Sequence, residues 1–457
     1  MKNKLLIAVF LIVCNNIFAQ SKYPFFDGTD NNTKTLMLYA NKQIEEVRKG
    51  NFTLTIVDEK GKPINKSVSL ELVSHDFNFG VNLYGYEKIP NSNPAKQTSI
   101  KAIQNTFNSV IVCDYWKRNQ KKSTSKLEWI SPDYGFQLAE KLNKKTRFHA
   151  LIYGHPDWLH EFKTEEDMWK LIEQRIKSIA DRYGDKITEV DVINEFINGQ
   201  YWDGAKQKYL RTTKFPNFAK PHNGARVIKI ARKYLPNTKL VILEANLWNE
   251  QNPVFQEIYE YHKSLIQQNV DYDYIGYQAH YYAKGNIPFQ EGTKEFGPRT
   301  FMMDEINKGI EKIGELGKPM VITEFNPPSR SNKVKIPNQV RISDKEIAAW
   351  EANFYTLMFS KPFIKGISRW FTIDNLGGRG MDAGIVTEDG KLKPNYYALE
   401  ELIKNKWHTA LKTKIKKGNI NFRGFYGTYK VQIAEYKQVF IELNNKKTTK
   451  NITLNKK

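Results

Sequence analysis

Glu189-Val190-Asp191-Val192-Ile193-Asn194-Glu195 is the stretch from which the rest of the chain can be read. Acidic or polar residues alternate with Val and Ile, the pattern of a short buried strand, and the polar pair Asn194-Glu195 stands where that strand runs out. A carboxylate there is either a solvated or ion-paired strand end or a working group. An Asn beside a Glu sets an amide donor next to a carboxyl, as needed to protonate a leaving oxygen while gripping a neighbouring hydroxyl.

A second apolar run, Pro319-Met320-Val321-Ile322-Thr323-Glu324-Phe325-Asn326, ends in a second glutamate 129 residues downstream. That separation has room for about three strand–helix units of a parallel barrel. Strands of one barrel open their C-terminal ends on one face, so the two carboxylates can face each other. A pair about 5–5.5 Å apart would carry out retaining, double-displacement glycoside hydrolysis.

The sequence between and around them alternates strand-like and amphipathic helical runs, the signature of a parallel α/β fold. Candidate strands are Phe77–Leu83, Ser109–Asp114, Arg147–Tyr153, Glu189–Asn194, Lys239–Glu244, Tyr274–His280, Met320–Phe325 and Ile367–Thr372, with helices at Met168–Tyr183 and Gly224–Tyr234. Eight strands predict a closed (β/α)8 TIM barrel over residues 75–408. Before it, residues 20–50 read as a polar leader and a short helix (Leu36–Arg48), and residues 51–74 as two alternating runs turned at Asp58–Pro63, a β-hairpin. After it, residues 409–457 hold further short strands around Phe422–Val431, Gln438–Leu443 and Asn451–Leu454. Neither flank can build a core alone, so the two are expected to meet as one small β-sandwich-like module. Its aromatics could stack on sugars or simply pack.

With these motifs in hand, the chain resembles glycoside hydrolase family 10, the endo-β-1,4-xylanase family, over about residues 75–405. The resemblance rests on Asp191-Val192-Ile193-Asn194-Glu195, Ile322-Thr323-Glu324-Phe325, His149-Ala150-Leu151-Ile152-Tyr153 and Gly276-Tyr277-Gln278-Ala279-His280, four strand-end motifs in the family's order. It implies the same (β/α)8 barrel, with Glu324 as nucleophile and Glu195 as acid/base on a xylan. It further implies that Asn194 bonds a sugar 2-hydroxyl, that His280, with Gln278 on the same strand face, keeps the nucleophile ionised, that His149 binds a sugar hydroxyl and that Trp370 floors a sugar ring. Asn194 could instead cap the following loop, and Trp370 could be core.

Departures from the family pattern gather at sugar-gripping positions. Tyr153 stands where Trp is usual, and His155 is displaced by one behind Gly154. Lys117 fits the sugar-binding lysine of the second strand, but Cys113 replaces the glutamate that holds the distal sugar. Asn326 replaces the aspartate that partners the histidine, which should weaken the polarisation of His280. A second tryptophan is missing from Asp374–Gly384. Such changes retune which glycan fits more readily than they abolish chemistry, so a decorated or atypical xylan is the expected substrate, with another β-linked glycan, or binding without catalysis, as the alternatives.

Residues 1–19 combine Lys2 and Lys4, an apolar run from Leu5 to Cys14 and Phe18-Ala19 before Gln20, which reads as a signal peptide and predicts export to the periplasm, cell surface or medium. The run is too short to span a bilayer, and no transmembrane segment is expected. The formal charge of +21 falls to +19 without Lys2 and Lys4. The lysines are scattered, with no Arg-rich stripe, which points to an acidic polysaccharide rather than nucleic acid. Losing Cys14 leaves Cys113 alone, so no internal disulfide is expected. His149, His155 and His160 lack the cysteine pair or helical spacing of a zinc site, and Leu376-Gly377-Gly378-Arg379-Gly380 lacks the ending of a phosphate loop, so neither metal nor cofactor is expected. A monomer is expected.

Overall fold

The computed structural model describes residues 24–124, 126–200, 214–245, 247, 250, 252–281, 301–329, 342–376 and 381–457. The segment read as a signal peptide and residues 377–380 of the glycine-rich stretch lie outside them. The N-terminal helix runs from Asn31 to Val47, longer than the apolar spacing alone marks, because Asp30 caps it by accepting from the backbone N–H of Thr33. The strands β1 (Lys49–Asp58) and β2 (Ser67–His75) follow.

Eight parallel strands then close the barrel: β3 (Asn78–Asn82), β4 (Ser109–Cys113), β5 (Lys145–His149), β6 (Glu189–Asn194), β7 (Lys239–Glu244), β8 (Tyr274–Tyr277), β9 (Met320–Phe325) and β10 (Ile364–Arg369), with β10 pairing β3 to complete the ring. Every residue of β4, β6 and β9 is buried, as expected of strands covered by helices outside and by stacked side chains inside. The helices keep to their sequence signals. Glu165–Tyr183 begins at a Thr164 cap, and Pro221–Tyr234 starts with proline in the first turn, where its missing N–H costs nothing.

Three barrel strands are shorter than their apolar runs and the last is shifted by three residues. The third ends at His149 rather than Tyr153, and the sixth at Tyr277 rather than His280; the eighth spans Ile364–Arg369 instead of Ile367–Thr372, and the first spans Asn78–Asn82 within Phe77–Leu83. The apolar character continues past the ladder because the rim is itself packed: Ile152 still bridges Ile193, and His280 still bridges Asn326. At β6 the register against β7 shifts between Asp191 and Ile193, a bulge that re-aims the side chains at the strand's end.

Strands β11 (Ala410–Lys414), β12 (Asn419–Phe425), β13 (Gly427–Gln432), β14 (Val439–Leu443) and β15 (Thr449–Leu454) complete the chain. They correct the expected hairpin. β1 lies in a three-stranded sheet of order β12-β1-β15, whereas β2 lies in a four-stranded sheet of order β11-β2-β13-β14. After the Asp58–Gly61 turn only Val57 and Pro63 bridge. Pro63 has no N–H to extend the ladder, and each strand has both edges taken by partners from the far end of the chain. The alternate apolar residues Phe52, Leu54 and Ile56 of one sheet and Val68, Leu70 and Leu72 of the other are thereby buried. Arg48 ties this region to the barrel by donating to the carbonyls of Phe359, Lys361 and Ile364 at 2.6, 2.5 and 2.8 Å.

Candidate active site

Glu195 leaves β6 in the left-handed backbone region, with φ of +58°, a conformation that costs a residue with a Cβ about 1–3 kcal/mol and is kept where surroundings enforce it. The enforcement is visible. Its backbone N–H donates to Leu243 O at 3.1 Å. Two residues on, the N–H groups of Ile197 and Asn198 donate to the Glu244 carboxylate at 2.8 and 3.1 Å, and Asn198 Nδ2 adds a third bond at 2.7 Å. Glu244 ends β7 and is buried, and burial pushes its carboxyl up to about 7.

Glu324, in β9, opens on the same end of the barrel. Gln278 Nε2 donates to its Oε1 at 3.2 Å and to Asn194 Oδ1 at 2.6 Å, so one amide joins the two strand-end motifs. Among the described residues Gln278 Oε1 has no partner, and a buried carbonyl in that state costs about 1–3 kcal/mol until a donor arrives. His280 Nε2 lies 3.1 Å from Glu324 Oε2, and His149 Nδ1 lies 3.6 Å from Oε1. Asn326 Nδ2 donates to His280 Nδ1 at 2.8 Å. An amide NH2 can only donate, so Nδ1 accepts and the ring proton sits on Nε2, facing Glu324.

The two carboxyls feel each other. Glu195 is raised above the ordinary glutamate range, first by burial and then by the charge of Glu324, while bonds from Tyr153 and Gln278 and the neighbouring His280 pull the other way. Tyr153 OH donates to Glu195 Oε2 at 2.6 Å. Trp370, just past β10, makes T-shaped contacts with His149 and His280, with ring centroids 5.1 and 6.1 Å away. Glu195, Glu324, Asn194, Gln278, His280, His149, Tyr153 and Trp370 therefore form one constellation. Lys117 stands apart: its ammonium meets Asp157 at 2.6 Å, with more than half of each side chain exposed. Cys113 is buried with Sγ 3.2 Å from Asn82 Oδ1, and burial, with the charge of Glu324, pushes its thiol well up.

Beneath the rim runs a buried polar network that the sequence reading left without a role. Arg147 donates to Asp191 through Nε and Nη2, at 3.1 and 2.5 Å, and to Glu189 at 3.1 Å; Asp191 in turn holds His149 Nδ1 at 2.8 Å. Burial alone would lower His149, but Glu324 and Asp191 outweigh it and raise it. Burial would likewise raise Asp191, and Arg147 and His149 outweigh it and lower it. The sequence signal was present: acids at 189 and 191 share one strand face with each other, as Arg147 and His149 do on the neighbouring strand. Tyr84 and Tyr115 were also missed. Tyr115 packs against Tyr153 and His149, and Arg118 lies over both tyrosines.

The three histidines near the third strand do not converge. His155 packs between Phe196 and Phe215, with burial holding it down at about 3, and His160 bonds the carbonyl of Asp157. Among the described residues no group of three or more His, Cys, Asp or Glu could hold a metal ion, and no helix is long and apolar enough to cross a membrane.

The model of glycosyl hydrolase family 10 matches residues 71–402. The chain belongs to glycosyl hydrolase family 10. Among the curated proteins it is similar to, the anti-sigma-I factor RsgI6 of Acetivibrio thermocellus is 26% identical over 403 residues, covering 86% of this chain and 46% of that protein. Endo-1,4-beta-xylanase 2 of Arabidopsis thaliana is 22% identical over 332 residues, 68% of this chain and 27% of that one. Endo-1,4-beta-xylanase B of Cellvibrio japonicus is 23% identical over 305 residues, 64% of this chain and 43% of that one. The chain thus spans less than half the length of these curated relatives. Native xylanase 10B from Thermotoga maritima shares the fold, with a TM-score of 0.56 at 18% identity over 72% of this chain and 96% of that one.

Proposed function

We propose that the chain is a retaining family 10 glycoside hydrolase that cleaves β-1,4-xylosidic bonds in a decorated or atypical xylan. The observation that carries this reading is the pairing of Glu195 and Glu324 across one rim, joined through Gln278 and given different surroundings. Glu324 attacks the anomeric carbon while the Glu195 proton passes to the departing glycosidic oxygen; the C–O bond breaks and a glycosyl ester forms. Water then attacks the same carbon, Glu195 takes its proton, and Glu324 leaves as carboxylate. Burial and the charge of Glu324 favour the protonated Glu195 that the first step needs, and the ester removes that charge for the second. Asn194 and the unpartnered Gln278 Oε1 suit sugar hydroxyls, and Trp370 suits the apolar face of the ring. The aromatic and thiol residues at 153 and 113 support an altered chain-gripping surface, to be tested on a polysaccharide panel. Trapping with a 2-fluoro-xylosyl fluoride should place the label on Glu324, and a label elsewhere overturns the assignment.

A second reading, a glycan-binding barrel without turnover, is favoured by the name of one relative that covers 86% of this chain, an anti-sigma factor, although an endo-1,4-beta-xylanase of Arabidopsis thaliana covers the same share. Hydrolysis of an aryl β-xyloside by the parent chain, lost in Glu324→Ala, decides between them. Export belongs to the same proposal and rests on the composition of residues 1–19; a mature chain beginning at Gln20 would support it.

A further inference from the structure

Tyr153 stands where the family resemblance implies a sugar-binding tryptophan, yet its polar end is occupied otherwise. Its ring is set by packing, with Tyr115 and His149 at 5.6 and 5.9 Å between centroids, both at 55°. Its hydroxyl donates to Glu195 Oε2 at 2.6 Å, the length of a charge-assisted O–H···O⁻ bond, about 2.5–2.7 Å. A phenol keeps its proton through the neutral range and so acts only as donor toward a carboxylate.

The other groups facing Glu195 come from three further strands. Glu324 of β9 and Glu244 of β7 oppose its charge, and His280 and Gln278, beyond β8, support it. Each of them has another demand on it: Glu324 holds Gln278 and His280, and Glu244 holds the loop after Glu195. From β5's side of the rim the phenol at 153 donates to Glu195.

We propose that Tyr153 is a positioning residue that acts through Glu195 rather than on the sugar: its hydroxyl occupies Oε2, favours the ionised carboxylate and sets the pH at which Glu195 gives up its proton. The inference rests on the reading of Glu195 as the proton donor. The sign follows from the bond. A donor to the carboxylate stabilises the charged form, so removing it makes Glu195 hold its proton to higher pH.

The test is Tyr153→Phe in the full chain, which keeps the ring and deletes the hydroxyl. Carboxyl ¹³C titration, with the Glu195 resonance assigned through Glu195→Gln, should show its midpoint rising by about one pH unit. The basic limb of the kcat/KM profile on an aryl β-xyloside should move up equally. A midpoint and limb that stay in place, with KM rising about tenfold through a lost binding contact, make Tyr153 a sugar contact and overturn the proposal. If Tyr153→Phe does not fold, 3-fluorotyrosine placed at 153 supplies a more acidic donor; the midpoint must then fall, and one that rises or stays overturns the proposal. A parent chain that hydrolyses no glycoside would sink the functional reading, whereas the carboxyl titration would still decide the role of Tyr153.

Discussion

The two sides of the barrel mouth are built on different principles. On the β8–β10 side, Gln278, His280, Asn326 and Glu324 form a hydrogen-bonded chain in which most polar atoms have a partner. On the β4–β5 side, Tyr115 packs edge to face with Tyr84 and His149, and Tyr153 lies tilted against Tyr115 and His149, backed by the buried Cys113. Hydrogen-bond chains tolerate little change in residue type, since an unmatched donor or acceptor is left buried. Aromatic walls can exchange one ring for another and alter shape alone. Reaction and shape are thus held largely by different sets of residues, joined where Tyr153 of the aromatic wall donates to Glu195, and the departures from the family pattern fall mainly on the second set.

The largest expected effects break this contrast on the hydrogen-bonded side. Glu324→Ala should reduce aryl β-xyloside hydrolysis by roughly 10⁴-fold or more, with little change in oligosaccharide affinity by calorimetry. Glu195→Gln should cost about 10²–10⁴-fold on xylan, where the leaving oxygen needs a proton, and far less on a dinitrophenyl xyloside, whose leaving group does not. Equal losses on both substrates would remove Glu195 from the acid role.

The polar ladder beneath the rim gives the next largest effect, this time on stability. Arg147→Met leaves Glu189 and Asp191 buried without their shared cation, and breaking such a pair costs about 3–5 kcal/mol, measurable by urea denaturation at neutral pH. Asp191, lowered in the fold, contributes stability that is present above its unfolded value and lost as pH falls through the folded one. Glu244 works in the opposite sense. Its folded value of about 7 exceeds the ordinary value of 4.5, so the fold binds the extra proton and stability declines as pH rises between them, by about 3 kcal/mol in all. Glu244→Gln should flatten that decline in a Tm-against-pH series; an unchanged slope would show that the three donors fully support the ionised form.

Much of this was legible in the chain. The barrel followed from eight apolar runs, and the glutamates from their places at two strand ends. What was not legible has a common cause. The pairing of β1 with β12 and β15 depends on residues some 360 to 400 positions away, which no local turn signal reveals. The Arg147–Asp191–His149 ladder lies inside strands whose overall apolar character hides single charges, and Glu244 read as the last residue of a strand until its loop donors were placed. Tyr153 was visible as a departure, but what its hydroxyl touches required the fold.

Asn326 offers the finest adjustment. The sequence suggested that an amide in place of the family's carboxylate weakens the polarisation of His280, and the geometry gives that idea a definite form. Asn326 donates to Nδ1, so the ring is neutral with its proton on Nε2 toward Glu324. In Asn326→Asp the new carboxylate can only accept, so Nδ1 must carry a proton while Nε2 keeps its own, and the ring becomes a cation. A cation beside Glu324 favours its ionised form, so the acidic limb of the kcat/KM profile should move down by roughly half to one pH unit, with the plateau changed less than about threefold. Nitrogen-15 shifts of His280 should report two protonated ring nitrogens in the variant and one in the parent at the same pH. A limb that stays fixed while the ring becomes charged would separate His280 from the ionisation of Glu324. The hydrogen-bonded side would then hold geometry alone, and its contrast with the aromatic side would be one of shape rather than of charge.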